Sequence, residues 1–332
     1  MDVCHLAKAL IQIASPTGHE QGVVDFLRVY LEAAGFQVHL QKISDGRANI
    51  YAAVGEPRVV LSTHTDTVLP QVPFQQDEEF IYGRGACDAK GIIAAQIKAA
   101  EKLRAAGVRN FGLLFVVGEE QGSEGALAAN TIPNQCRFLI DGEPTGNKLA
   151  LGSKGALRVE VVTRGRAAHS AYPQQGESAI VKLLDLLNEV RTFSLPAHEV
   201  LGETTCNIGT INGGVQANVI PDFARAELMF RTVTNGSAIK NLLAQAVAGR
   251  AEIRYNFECE PVLMEALDGF ETTVAAFTTD IPLLTNWGRP LLFGPGSILD
   301  AHTPHERIAK RELARAVELY CRMVDKLLRD EE

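Results

Sequence analysis

His64, Asp66, Glu119, Glu120 and Glu143 stand at or just past the ends of short apolar runs. Val59-Val60-Leu61-Ser62-Thr63 leads into His64-Thr65-Asp66, Leu113 to Val117 into Gly118-Glu119-Glu120, and Leu139-Ile140 into Asp141-Gly142-Glu143. Asp88 lies in Gly83-Arg84-Gly85-Ala86-Cys87-Asp88-Ala89-Lys90-Gly91, and His302 follows a late run and its turn Gly294-Pro295-Gly296. Carboxylates crowded together repel and are pushed towards the neutral form unless cations offset them. Two divalent ions would do so. Imidazole nitrogen and carboxylate oxygen are both zinc ligands, and two ions ~3.5–4 Å apart can share a bridging carboxylate and activate water. Asp88, Glu120 and Glu143 with a hydroxide would balance two such ions, the neutrality a semi-buried site requires. Each residue alone has a plainer reading as a satisfied core histidine or a solvated charge. Their common placement at strand ends weighs against it.

Other chemistries fail on inspection. Gly83-Arg84-Gly85 begins like a dinucleotide fingerprint, but Asp88 stands where the third glycine is needed. Gln121-Gly122-Ser123-Glu124-Gly125 puts Gln121 where a nucleophile elbow needs glycine, and no P-loop is present. The six cysteines are scattered with no C-x-x-C pair, which suits packing roles in a reducing cytoplasm rather than a disulfide framework.

The elements that must position these residues can be read from periodicity. In the first half helical segments (6–13, 19–34, 91–106, 123–130) alternate with strand segments (36–40, 49–54, 59–63, 111–117, 138–140). Thr17 is read as the cap of the second helix, with Glu20 three residues on. Such alternation implies an α/β fold, a mostly parallel sheet flanked by helices. In an open sheet of that kind, sites form outside the carboxyl ends of the strands, where the residues above fall. Glu119 and Glu120, if extended, would face opposite sides and divide two roles between them. The middle of the chain follows another pattern, with a strand at 157–163, a helix at 178–193, strands at 204–211 and 223–231, a helix at 237–247 and a strand at 252–259. That is the β-α-β-β-α-β order of a ferredoxin-like unit. A strand at 290–293 and an amphipathic helix at 307–328 resume the alternation of the first half. The expected organisation is a discontinuous α/β domain, 1–153 and 263–332, interrupted by an inserted α+β domain, 154–262. At 332 residues, 46% apolar and 22% charged, the chain reads as globular rather than disordered. A formal charge of -8 argues against nucleic acid or an anionic membrane as partner. The N-terminal residues lack a signal-peptide pattern, and no apolar run reaches the ~20 residues of a membrane span.

Five motifs in order resemble a known family. They are His64-Thr65-Asp66-Thr67-Val68, Gly83-Arg84-Gly85 through Asp88-Ala89-Lys90-Gly91, Gly118-Glu119-Glu120 with Gly122-Ser123, Asp141-Gly142-Glu143-Pro144-Thr145, and Ala301-His302-Thr303-Pro304. They are similar to motifs of the acetylornithine deacetylase / succinyl-diaminopimelate desuccinylase / carboxypeptidase G family of two-metal peptidases and deacylases, over essentially the whole chain. The resemblance implies a zinc-exopeptidase-like α/β domain whose ferredoxin-like insert serves as lid and dimerisation domain. It implies His64, Asp88 and Glu143 as ligands of one divalent ion and Asp88, Glu120 and His302 as ligands of the other. Zinc is the expected metal and cobalt the alternative. Asp66 would orient His64 and Glu119 would be the general base. His305 is the rival of His302, since the family usually has Asn at the former position. In the insert, Arg166 through Pro173 matches the lid motif, so His169 would stabilise the oxyanion, in dimeric members that of the partner subunit. Asn218 and Arg231 would contact substrate, Arg231 through the carboxylate-binding fork of its guanidinium, and Gly296 would line the pocket. The implied function is removal of an acyl group from a small N-acyl amino acid in a cytoplasmic homodimer. The alternatives are an exopeptidase or dipeptidase, or a carrier-linked amino-acid hydrolase. A catalytically silent binding protein would be free to lose Glu119 or a ligand, and all are retained.

Overall fold

The apolar runs that lead into the candidate site residues become the middle of a sheet in the computed structural model, which describes residues 1–329. Chain contacts separate two units. One comprises Met1–Leu151, Met264–Thr273 and the residues from Thr279 onward, and the other comprises Gly152–Leu263 with Val274–Thr278.

In the first unit the main elements are α1 (Val3–Ile11), α2 (Gln21–Ala33), β1 (Gln37–Ser44), β2 (Arg47–Val54), β3 (Val59–His64), α3 (Lys90–Ala105), β4 (Phe111–Val116), α4 (Glu124–Ala129), β5 (Phe138–Asp141) and β6 (Leu149–Ser153). Far along the chain, β11 (Arg289–Leu292) and α7 (Lys310–Arg329) complete it. The strand order is β1-β2-β4-β3-β5-β11-β6. The four middle strands are parallel, and the flanking pairs β1–β2, β2–β4 and β11–β6 are antiparallel. β3 and β4 are buried along their whole length, as parallel strands covered on both faces must be. Alternate residues serve opposite layers. Val59, Leu61, Leu113 and Phe115 join the core under α1, α2, α3 and α7. Val60, Leu114 and Val116 pack with Ala126 and Ala129 of α4 and with Trp287. α7 buries Leu313, Val317, Tyr320, Val324 and Leu327, spaced to form one apolar stripe.

In the second unit β7 (Gly155–Arg164), α5 (Ala179–Val190), β8 (Thr205–Gly213), β9 (Phe223–Thr232), α6 (Ser237–Val247) and β10 (Glu252–Cys259) appear in the expected order. They form an antiparallel sheet, β8-β9-β7-β10, with its own core of Leu157, Val159, Leu183, Leu187, Phe230 and Leu243.

Several local expectations are corrected. Thr17 does not cap α2; Glu20 is the N-cap residue and makes no side-chain cap bond. Glu20 is drawn instead to Gly18 N and to the Arg47 guanidinium, while the Thr17 hydroxyl donates to Asp66 Oδ2 at 2.7 Å. Arg307–Ala309 is a strand paired with Phe80–Tyr82, and the closing helix starts only at Lys310. β6, too mixed in composition to signal from sequence, begins in the first unit and runs into the second, where Gly152 and Ser153 pair with Leu263 and Val262.

Candidate metal centre

His64 is the last residue of β3 and is 1% exposed. Its Nδ1 lies 3.1 Å from the Asp66 carbonyl oxygen and 3.5 Å from Asp66 Oδ1. This fixes the ring and turns Nε2 towards Asp88 Oδ1 at 2.9 Å and Glu143 Oε1 at 4.0 Å. Asp88 comes from the turn before α3 and Glu143 from the loop after β5, and both are buried. Asp88 presents its other oxygen, Oδ2, to His302 Nε2 at 3.2 Å, and His302 Nε2 also lies 2.9 Å from Glu120 Oε2. Two groups of three potential ligands result, His64/Asp88/Glu143 and Asp88/Glu120/His302, each with donor atoms within 4.8 Å of one another. Asp88 belongs to both. His305 is in neither group; it is exposed, and its backbone N–H bonds Thr303 Oγ1.

The electrostatics ask for positive charge. Burial works to raise Asp88, yet hydrogen bonds from His302 and His64 hold its carboxyl well below the usual range. Asp88 and Glu120 pull the His302 imidazole up to about 10. Burial would lower His64, but Asp66 and Asp88 outweigh it and raise it well above the ordinary value. Protons drawn so firmly to both imidazoles mark positions that a divalent cation satisfies better, and the donor set of imidazole nitrogen and carboxylate oxygen suits zinc-like ions.

Glu119 lies in neither group. It and Glu120 sit in a turn rather than in extended backbone, because Gly118 leaves β4's direction at φ +81°. Their separation of direction therefore comes from the turn and not from strand alternation. Burial first, then Asp280, Asp88 and Glu120, push Glu119 well above the ordinary carboxyl range, against His64. A carboxyl that favours the protonated form is suited to hold a proton between two steps of a reaction.

Asp66 has a second job that sequence reasoning missed. Its Oδ1 accepts from the backbone N–H of Gly118 (2.9 Å) and Glu119 (3.1 Å), and its Oδ2 from that of Glu120 (3.2 Å) and from Thr17. Asp66 thus holds the His64 ring through its backbone carbonyl, with its carboxylate close by, and the same carboxylate pins the turn that carries Glu119 and Glu120. Asp280 was also missed. It is 2% exposed and neither carboxylate oxygen accepts a well-formed hydrogen bond. An isolated aspartate between Thr279 and Ile281 gives no sequence signal.

The other candidates lie outside both ligand groups. Gly296, at φ +86°, is buried against Cys87, the neighbour of Asp88, where a Cβ would meet Cys87 Cβ at 2.6 Å. His169, Asn218 and Arg231 belong to the second unit. His169 is exposed, accepts from Ala171 N through Nδ1 at 3.1 Å and meets Tyr172 edge-on. Asn218 is exposed, and its carbonyl accepts from Ser170 N. Arg231, on β9, is half-buried, and among the described residues no carboxylate pairs with it. Burial lowers its guanidinium from the ordinary value.

A family model described as peptidase family M20/M25/M40 matches residues 60–326. A peptidase M20 domain-containing protein of Schizosaccharomyces pombe is 40% identical, over 96% of this chain and 83% of its own length. A protein of Aspergillus clavatus named as a probable carboxypeptidase is 36% identical, over 96% of this chain and 81% of its own. Among solved structures, a tripeptidase of Staphylococcus aureus superposes with a TM-score of 0.82 at 20% identity, covering 98% of each chain.

Proposed function

We infer that this chain, which belongs to peptidase family M20/M25/M40 and hydrolyses peptide bonds, is a two-metal exohydrolase that releases a C-terminal amino acid from a short peptide or a small N-acyl amino acid. The observation that supports it is the pair of ligand groups joined through Asp88, with Glu119 beside them and in neither. His64, Asp88 and Glu143 would hold one divalent ion and Asp88, Glu120 and His302 the other, zinc being the expected metal and cobalt able to replace it. Bound there, the ions would activate water and polarise the substrate carbonyl. Glu119 takes a proton from the attacking water and returns it to the departing amine. Asp66 keeps His64 and the Glu119–Glu120 turn in place. From the second unit, His169 donates to the oxyanion, and Arg231 with Asn218 binds the substrate carboxylate, Arg231 having no protein carboxylate of its own among the described residues.

Acyl removal of the acetylornithine deacetylase type and carboxypeptidase action share one leaving group, the amine of an amino acid with a free carboxylate. They differ only in what lies on the acyl side. The relative named as a carboxypeptidase favours a peptide there. A homodimer through the second unit fits the exposed apolar residues Val181 and Leu184 on α5 and Ile211 on the edge strand β8. Free thiols at Cys4, Cys87, Cys206 and Cys321 fit a reducing cytoplasm, and among the described residues no helix is long and apolar enough to cross a membrane.

A panel of di- and tripeptides with free or blocked ends, together with N-acetyl and N-succinyl amino acids, tests this with added zinc or cobalt. Hydrolysis should survive blocking of the amino end and be lost on amidation of the carboxyl end. The reverse pattern would make the protein an aminopeptidase and remove Arg231 from carboxylate recognition.

A further inference from the structure

Glu306, four residues after His302, is fully buried. Its Oε2 accepts from Arg84 Nη1 at 2.6 Å, and Arg84 is itself 1% exposed. Its Oε1 accepts from three donors of the Asp88 turn: the backbone N–H groups of Gly85 (2.9 Å), Cys87 (3.2 Å) and Asp88 itself (3.2 Å). Its carbonyl oxygen accepts from Gly83 N at 3.0 Å. The whole segment 83–88 is therefore wrapped around one side chain. Such wrapping needs small or permissive residues, and Gly83 and Gly85 adopt φ +141° and +88° to allow it. A carboxylate accepting several N–H bonds is a strong, charge-assisted anchor, and buried backbone donors without a partner are costly.

The consequence lies in what each end carries. The wrapped segment ends in Asp88, the residue common to both ligand groups, and Glu306 is on the same loop as His302. We propose that Glu306 is a positioning residue: by gripping the N–H groups of Gly85, Cys87 and Asp88 it sets where Asp88 stands relative to His302, and so fixes the affinity of both cation positions. The proposal rests on the two-metal reading. The plainer alternative is that Glu306 only neutralises the buried Arg84. Outer residues that orient ligands characteristically change metal affinity by roughly 10–100-fold when lost.

Two double variants separate these roles. Arg84→Met/Glu306→Gln and Arg84→Met/Glu306→Met both abolish the ion pair, a change that is often nearly neutral for stability when both partners are replaced by groups of similar volume. Only the glutamine variant keeps an acceptor for the three N–H groups. Zinc affinity is measured by competition with a chromophoric chelator, and the visible spectrum of the cobalt-loaded protein reports ligand geometry. Far-UV circular dichroism checks the fold. The glutamine double variant should bind within a few-fold of wild type. The methionine double variant should bind roughly 10–100-fold more weakly and show an altered cobalt spectrum. Equal affinity of the two would overturn the proposal. If the methionine variant does not fold, Glu306→Asp decides: it keeps the charge for Arg84 but withdraws the oxygen from the turn, and wild-type affinity there would equally overturn it. Stoichiometry of the unaltered protein keeps the premise separate, since fewer than two ions per chain would fail the two-metal reading whatever the variants do.

Discussion

Glu119 and Glu120 are chemically identical neighbours, and the structure gives only one of them a place in a ligand group. Glu119→Gln should therefore keep its metal content while turnover falls by roughly 10²–10⁴-fold. Loss of metal together with activity, measured by elemental analysis beside the assay, would mean the two residues exchange roles. Asp280 supports a different kind of test. Burial first, and then the charge of Asp141, push its carboxyl up to about 7, with Ser123 and His64 opposing. A raised carboxyl means that the folded state holds the proton more tightly than the unfolded chain. The associated stability is fully present below pH ~4 and is lost as pH rises through about 7. Asp280→Asn removes that loss. In metal-free protein its melting temperature relative to wild type should climb between pH 5 and 8.5, by an amount equivalent to at most a few kcal/mol; a difference that ignores pH would refute the assignment. At this scale the residues brought together in the cluster were legible in the sequence because each carries a chemically distinctive side chain, His64 and Glu143 at or just past strand ends, Glu120 in the turn after a strand, and Asp88 and His302 in glycine-bearing or motif-matched loops. Apart from Asp66 beside His64, the support was not legible. Thr17 looked like a helix cap, since a threonine before a helical pattern has that meaning locally, and only the fold shows that Asp66 takes its hydroxyl in place of the helix backbone.

The elements were legible wherever a period was strong. α6 and β10 coincide with their expected spans, and β3 and β4 differ by one residue at most. β6 escaped because Leu149-Ala150-Leu151-Gly152-Ser153 is short and mixes small residues with no clear apolar/polar alternation, and it is the neighbouring β11 and Val262–Leu263 that hold it extended. The amphipathic signal of α7 was clear, but its first three expected residues pair as a strand, a choice made by Phe80–Tyr82 far away in sequence. α7 also reaches the site loops, through Asn147 Nδ2 donating to the Glu312 carbonyl at 3.0 Å and through Tyr320. The Tyr320 hydroxyl donates to the carbonyl of Phe293 at 2.7 Å, just before the Gly294-Pro295-Gly296 turn. Tyr320→Phe leaves that buried carbonyl without its donor and should lower unfolding free energy by about 1–3 kcal/mol. Urea denaturation measures it, and an unchanged midpoint would show that the carbonyl finds another donor.

At the scale of the molecule, the proposed chemistry is divided between two units: the ligand groups and Glu119 in the first, His169, Asn218 and Arg231 in the second. A catalytic part for His169 requires the second unit of this chain or of a partner copy to meet the metal centre. His169→Ala should accordingly lower turnover far more than it weakens metal binding. Mixing inactive Glu119→Gln and His169→Ala proteins under conditions of proven subunit exchange should restore activity if the histidine acts on the partner's site. No recovery would rule out that arrangement, and full activity of His169→Ala alone would remove the residue from the mechanism. The strand order has a consequence for biosynthesis. β11, residues 289–292, lies between β5 and β6, whose residues 138–141 and 149–153 leave the ribosome much earlier. At ~5–20 residues per second, the nascent sheet must wait on the order of ten seconds with that place unfilled. His302 and Glu306 emerge later still, so the two ligand groups can be brought together only after that loop has been made. A growing chain is thus kept from assembling the proposed site until then, and ribosome-bound chains arrested before residue 289 should neither retain zinc nor resist protease.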